Sequence, residues 1–268
     1  MKTLFDIRSG KPPGVEHTLL LEAGEDFCSY AYLHKPTKTI DGLHYVSFDE
    51  TESEGQLPAL IKDLGATPFQ SVVVCSAFPQ ALLMPTKFFD QDYTALKTIY
   101  VTHAEQKKLN DPIPEWQMTA VYLLPQQLSE ALPGLFQSVQ YFHAYTPSIK
   151  IYNGYIADSQ LLVHFTQRYF RLLLKKDSSI QLAQTYAYKT PLDVVYYLLK
   201  ICSEFALQQQ EIFIIFSGLV EQDSALFTEI EQYFTNVHFA HPPEIKLPVD
   251  EHPQHFFTSL YNLASCVS

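Results

Sequence analysis

The densest group of potential metal ligands lies near the C-terminus. There His238-Phe-Ala-His241 and His252-Pro-Gln-His255 supply two imidazole pairs, with Glu244, Asp250 and Glu251 between them. Imidazoles three residues apart can share a helical face and bind zinc or nickel. Pro242, Pro243 and Pro253 interrupt any helix in this stretch, however, and the His-Glu-x-x-His spacing of metalloproteases is missing. We therefore expect a surface loop that carries histidines, and no metal site. The run Asp49-Glu50-Thr51-Glu52-Ser53-Glu54 could in principle supply an acid/base couple. Placed directly before an apolar helical pattern, it reads instead as a solvated cluster at a helix start. Arg8-Ser9-Gly10-Lys11 lacks the upstream glycine and the strand that a phosphate-binding loop needs, and Ser217 does not stand in a Gly-x-Ser-x-Gly elbow. Cys28, Cys75, Cys202 and Cys266 form no Cys-x-x-Cys pair and show no local nucleophile signature. Cys75 and Cys202 fall in apolar segments and read as small core residues. Tyr141-Phe142 and Tyr196-Tyr197 fit element core faces better than a platform for stacked bases.

Charge narrows the function classes further. The 268-residue chain has a formal net charge of −11 at pH 7, and its longest basic runs are the doublets Lys107-Lys108 and Lys175-Lys176. The electrostatic term that drives binding to nucleic acid or anionic lipid therefore has the wrong sign. No stretch is apolar for long enough to span a bilayer, residues 1–14 lack a signal-peptide core, and four scattered cysteines make a disulfide framework improbable in a chain of this size. These readings point to a reducing cytoplasm and exclude membrane insertion. With 19 Phe and 17 Tyr, the composition suits half-buried strands.

The elements that would position these residues follow from periodicity. Residues 1–16 are polar, carry Pro12-Pro13-Gly14, and read as a loose leader. Strands are expected over 17–23, 27–33 and 43–48, joined by short polar turns as an antiparallel meander. Leu57, Leu60, Ile61 and Leu64 then stand at helical spacing, Gly65 gives a stop, and Ser71 to Ala77 reads as a strand buried on both faces. Between Phe78 and Lys150 the pattern is weaker. It suggests strands at 81–84, 117–124 and 139–145, a helix near 90–98, and a helix opened by Pro125 and ended by Pro133-Gly134. The second half repeats the opening, with strands at 161–165, 169–174 and 180–188. A helix capped by Thr190-Pro191 runs to about Phe205, and a buried strand spans 211–216. A helix at 223–234, a short strand at 237–240 and a terminal helix at 256–263 complete the chain.

Both halves thus run strand, strand, strand, helix, buried strand, with Leu20 matching Leu162 and Val73 matching Ile215 at a constant offset of about 142 positions. A tandem unit of this order resembles the actin-like ATPase superfamily, which includes sugar kinases and the seventy-kilodalton heat-shock chaperones. More closely, the chain resembles an uncharacterised bacterial domain-of-unknown-function family assigned that fold. The resemblance rests on element order from about His17 onward and on fragments such as SVVVCSA, EIFIIFSG and the Pro85-Phe88-Asp90 neighbourhood. It implies an α/β fold built on a duplicated ribonuclease H-like motif, with a first lobe over 15–150 and a second over 151–268.

It also implies where a nucleotide would lie. In that superfamily ATP occupies the cleft between lobes, hairpin turns of Asp-x-Gly pattern wrap its phosphates, and a Gly-Gly turn packs against adenosine. Backbone amides reach phosphate oxygens only where no side chain intervenes, and a carboxylate must hold the waters of Mg²⁺ or polarise the attacking water. At the first hairpin, Glu22-Ala23-Gly24-Glu25 keeps the glycine, but Glu22 replaces Asp and Glu25 puts a negative charge where phosphate would approach. The second hairpin, Phe165-Thr166-Gln167-Arg168, has neither glycine nor carboxylate. At the adenosine position, Phe216-Ser217-Gly218-Leu219 keeps one glycine and offers Ser217 for the other. The candidates are therefore Glu22 as catalytic group and Gly24, Ser217 and Gly218 as cofactor contacts. With so eroded a set, the expectation is a non-catalytic adaptor or scaffold that binds a protein partner and needs no cofactor. The alternative is an ATPase or small-molecule kinase using ATP and Mg²⁺.

Overall fold

The computed structural model describes residues 1–10, 12–48, 53–103, 106–151, 159–241, 245 and 252–267, apart from the side chains of residues 53 and 54. The carboxylates at 49–52, and Glu244, Asp250 and Glu251, lie outside the described residues. The chain divides into two compact units. One gathers the elements up to residue 151 together with the terminal helix, and the other gathers the elements from residue 159 to residue 241 with the short turn that follows.

In the first unit β1 (Lys2–Arg8), β2 (His17–Ala23), β3 (Phe27–His34), β4 (Thr39–Ser47), β5 (Ser71–Ser76) and β9 (Val139–His143) form one sheet in the order β1-β4-β3-β2-β5-β9. Helix α1 (Ser53–Leu64) links β4 to β5, and α3 (Gln126–Ala131) precedes β9. Strand β2, every residue of it buried, occupies a central position. Two covered faces allow no polar alternation, which is why HTLLLEA reads as a nearly continuous apolar run. Leu19, Leu21, Ala23, Val72 and Val74 meet Leu57, Ile61, Leu128 and Leu132 in one buried cluster.

The second unit repeats this design. Strands β10 (Ser159–Phe165), β11 (Tyr169–Lys176), β12 (Ser179–Ala187), β13 (Phe213–Gly218) and β14 (Val237–Phe239) stand in the order β12-β11-β10-β13-β14. Helix α5 (Pro191–Glu204) links β12 to β13, and α6 (Ala225–Glu231) links β13 to β14. The duplication holds residue by residue. Leu20 faces Val73 across the parallel pair β2–β5, and Leu162 faces Ile215 across β10–β13. Leu20 also faces Ala31, and Leu162 faces Leu173, so the sequence offset carries into the next strand pair. Even an irregularity is shared, since the register slips between Tyr32 and Leu33 in β3 and between Leu174 and Lys175 in β11.

Four features differ from the sequence expectations. Residues 2–8 are not a loose leader but strand β1, paired antiparallel to β4 with a bulge between Thr3 and Phe5. Ile7 is buried there, and the Phe5 ring meets Tyr45 edge-on at 6.1 Å. The terminal helix α7 (Thr258–Val267) follows a 3-10 turn at Gln254–Phe257 and gathers with the first unit, whereas the sequence division counted it with the second lobe. Between β5 and α3 the first unit carries an insertion, in which β6 (Ala81–Pro85), β7 (Lys107–Ile113) and β8 (Met118–Leu124) form their own sheet in the order β6-β8-β7. Helix α2 (Thr94–Ile99) lies within this insertion and α4 (Tyr145–Lys150) follows β9. The helix expected near 90–98 begins only at Thr94, because Asp90 Oδ1 accepts the Thr94 amide at 3.0 Å and Tyr93 takes a left-handed backbone with φ 55°.

Candidate functional site

The first hairpin closes tightly on itself. Gly24 N–H donates to the Phe27 carbonyl at 3.0 Å, and Ala77 N–H donates to the Ala23 carbonyl at 2.8 Å. Gly24 and Asp26 are buried, and Glu25 is half-buried. A Cβ on Gly24 would stand 2.7 Å from Phe27 Cε1 and 3.5 Å from Ala77 Cβ. The missing side chain therefore makes room for the Phe27 ring, itself stacked on Tyr45 at 5.1 Å. Glu22 is 2% exposed and lies between Ser29 of β3 and Cys75 of β5. Its charge adds to burial in raising the pKa of the nearby Cys28 thiol above the ordinary value.

The second hairpin is closed by its own threonine. Thr166 N–H donates to the Tyr169 carbonyl at 2.8 Å, and Tyr169 N–H donates to Thr166 Oγ1 at 3.2 Å. The Tyr188 hydroxyl donates to the Thr166 carbonyl at 2.8 Å, and Tyr188 N–H to the Arg168 carbonyl at 2.9 Å. A threonine thus does locally what a glycine turn would leave to a ligand. Beyond it, Gly218 ends β13 with φ +78°, and a Cβ there would fall 2.1 Å from the Phe165 carbonyl oxygen. Only a glycine fits, since the chain must approach β10 closely in a left-handed conformation. Leu219 N–H donates to that same carbonyl at 2.9 Å.

Ser217, the other adenosine-side candidate, bonds His164 Nδ1 through Oγ at 2.9 Å. His164 faces Ser217 across β10–β13 as Glu22 faces Cys75 across β2–β5, so the two pairs occupy equivalent places in their own units. Where the first half has a carboxylate, the second has an imidazole. Burial and the neighbouring Arg171 hold His164 well below the usual histidine range, so it is neutral at pH 7. Glu22 and Gly24 thus come together in the first unit, and Ser217 and Gly218 in the second.

The remaining sequence candidates are distributed among structural roles. His238 bonds Asn236 at 2.7 Å and stacks on Phe213 at 4.3 Å. His255 bonds the Val220 carbonyl at 2.8 Å and lies against Phe239, whereas His241 and His252 are exposed. Among the described residues no group of three or more His, Cys, Asp or Glu side chains could hold a metal ion. All four cysteines are free, and burial pushes the Cys202 thiol up to about 11, away from thiolate chemistry. The insertion carries an open concavity of about 590 Å³ at the ends of β6 and β7. Its walls include Pro85, Pro112, Pro114 and Trp116, and Lys87 is the one charged lining residue, so it is a largely apolar hollow without a carboxylate or imidazole.

Sequence reasoning missed one polar centre altogether. Asp111 of β7 is 5% exposed and accepts three hydrogen bonds. The Tyr122 hydroxyl donates to Oδ1 at 3.1 Å, while His143 N–H and the Thr146 hydroxyl donate to Oδ2, each at 2.7 Å. Burial raises its pKa to about 6 in spite of these donors. The His143 ring bonds the Phe78 carbonyl and accepts the Tyr145 amide. The network ties the inserted sheet to β9 and α4. Its only sequence signal was an Asp-Pro dipeptide that reads as a turn.

Residues 15–237 match the model of DUF3822, a family of proteins of unknown function. The chain belongs to the DUF3822 family. No curated protein sequence matches it. A solved structure from Bacteroides thetaiotaomicron, a protein with actin-like ATPase fold and unknown function, superposes with a TM-score of 0.75 at 12% identity, covering 84% of this chain and 91% of its own. A chain of the PilM-PilN type IV pilus biogenesis complex follows with a TM-score of 0.60 at 12% identity, over 95% and 99% of the two chains. The ethanolamine utilization protein EutJ from Carboxydothermus hydrogenoformans reaches 0.50 at 8% identity, over 96% and 91%. This DUF3822 chain therefore has the actin-like ATPase fold, and its duplicated sheets are the two halves of that fold. At these identities the likeness carries the fold and nothing of the chemistry.

Proposed function

We propose that this DUF3822 protein is a non-catalytic member of the actin-like fold, acting as an adaptor or scaffold for a protein partner in a reducing cytoplasm. One observation carries the reading: both surviving glycines are accounted for by the chain's own packing, because the position a Cβ would take is already filled. Phe27 takes the space at Gly24, and the Phe165 carbonyl takes it at Gly218. Phosphoryl transfer draws nearly all its acceleration from preorganised donors and cations around the transferring group. The second hairpin spends the Thr166 and Tyr169 amides on its own closure, and the first sets Glu25 where phosphate would approach. The residues present do not suit ATP and Mg²⁺.

An adaptor role is in keeping with a fold that occurs in a two-protein assembly, the PilM-PilN complex. The proposed compartment draws support from three buried free thiols and from the described helices, none of which is long and apolar enough to cross a membrane. The test is phosphate release from ATP with Mg²⁺, run beside Glu22→Gln. We expect no turnover from either protein. Turnover by the wild type that Glu22→Gln abolishes would overturn the reading and make Glu22 the metal-holding carboxylate of a nucleotide-dependent enzyme.

A further inference from the structure

The insertion of the first unit holds its concavity on a stiff frame. Pro85 ends β6 and faces Met118 at the start of β8, while Pro112 of β7 faces Thr119. Short 3-10 turns at Thr86–Phe88 and Pro114–Trp116 follow β6 and β7. The prolines have fixed φ, and the Thr86 amide donates to the Gln117 carbonyl at 2.8 Å, which ties one turn to the other. Pro85, Pro112 and Pro114 are exposed, and Trp116 and Met118 are half-buried. A preformed hollow of about 590 Å³ with such walls falls among small-ligand sites, which span roughly 300–1,000 Å³.

The polar groups of the wall decide the charge of an occupant. Lys87 is its one charged residue, and the ammonium lies 4.9 Å from the centre of the Phe88 ring. Among the described residues no carboxylate pairs with it. Glu115 shares the turn of Trp116 but is not part of the wall. A cationic guest would therefore meet Lys87 with no counter-charge beside it. A phosphate would need several donors converging on it. Three of the eight wall residues are prolines without an N–H, and the Gln117 amide is spent on the Pro114 carbonyl at 3.0 Å. The Thr86 hydroxyl is bonded to that of Thr119 at 3.0 Å. The Lys87 ammonium and the Gln117 side chain suit a single carboxylate.

We propose that this hollow binds a small amphipathic monocarboxylate, its apolar body against Trp116, Met118 and the prolines and its carboxylate on Lys87. Apolar contact with rigid walls supplies the affinity, because little has to be ordered on binding. The ion pair supplies the selectivity, and in a chain of net charge −11 that selection has to be local. The site goes beyond the adaptor reading and does not depend on it.

The test uses the full chain, whose single tryptophan makes indole fluorescence a direct report on the wall. Octanoate, octanol and octylammonium share one alkyl chain, and a terminally brominated octanoate adds a heavy atom that quenches an indole only in near contact. Saturable quenching by the brominated probe is expected, and octanoate should displace it at least about threefold more tightly than octanol or octylammonium does. Lys87→Met keeps the stem of an exposed side chain and removes its charge. It should weaken octanoate by about the same factor, leave octanol unchanged and leave the thermal melt in place. Absence of saturable quenching in the wild type overturns the proposal. So does octanol or octylammonium competing as well as octanoate, or an octanoate affinity that Lys87→Met leaves unchanged.

Discussion

Replacing Gly218 by alanine separates a glycine kept for backbone geometry from one kept for a ligand. The new Cβ would lie 2.1 Å from the Phe165 carbonyl oxygen, 2.9 Å from its nitrogen and 3.0 Å from its carbonyl carbon, all of them backbone atoms. The left-handed conformation at φ +78° costs alanine about 1–2 kcal/mol by itself. Moving the Phe165 carbonyl by about 1 Å sacrifices the bond it accepts from Leu219, worth about 1 kcal/mol. The sum is about 2–3 kcal/mol, which at roughly 2–4 °C per kcal/mol for a chain of this size lowers the melting point by about 4–12 °C. Gly24→Ala meets only the Phe27 ring and should cost less, about 1–2 kcal/mol of overpacking. Thermal unfolding followed by circular dichroism, without any ligand, reads both values. If Gly218→Ala melts within about 1 °C of the wild type, the close approach to β10 does not explain the glycine, and a ligand role returns.

Other expectations follow from the polar groups. Asp111→Ala strands the His143 amide and the Thr146 hydroxyl and should cost about 3 kcal/mol or more, measured by urea unfolding. Asp111→Asn can keep one oxygen on those two donors and turn its amide to the Tyr122 hydroxyl, so it should stay near wild-type stability at pH 6. Because burial raises the Asp111 pKa to about 6, its contribution favours the folded state below about pH 4 and is lost as pH rises through 6. The Asn variant should therefore gain stability relative to wild type between pH 4 and 7, and a flat difference would refute the assignment. His44 has the opposite sign: burial lowers its pKa, so stability falls as pH drops below about 6.5, where the unfolded chain takes up the proton. His44→Phe keeps the ring stack on Tyr30 and should remove that acid-side loss in a pH series of melting points. Thr190→Ala removes the Oγ1 that caps the Asp193 amide of α5 and should cost about 1 kcal/mol by urea unfolding, with Thr190→Ser retaining most of it.

The duplicated part of the fold was the legible part, for a physical reason. Central strands covered on both faces must be apolar throughout, so HTLLLEA and FIIFSG announce themselves, and their constant spacing gives the parallel registers Leu20–Val73 and Leu162–Ile215. The Thr190-Pro191 start of α5 was legible because a capping box is local chemistry. Two edge strands, β1 and β7, were not. Strand β7 reads Lys-Lys-Leu-Asn-Asp-Pro-Ile, and only an edge tolerates Pro112, while β1 alternates too weakly to show without its partner β4. At the site, the eroded phosphate pattern was legible as missing letters. That Phe27 and the Phe165 carbonyl occupy the space at the two surviving glycines was not, since both are packing facts. The Asp111 network joins residues 32 and 35 positions apart and left no periodic trace.

The central claim is that neither glycine turn is open to a triphosphate, and titration calorimetry of the full chain with ATP, ADP and Mg²⁺ tests it most directly. No binding tighter than about 1 mM is expected, because that affinity already corresponds to about 4 kcal/mol of interaction the turns do not supply. A single site of micromolar affinity that requires Mg²⁺ would contradict the account.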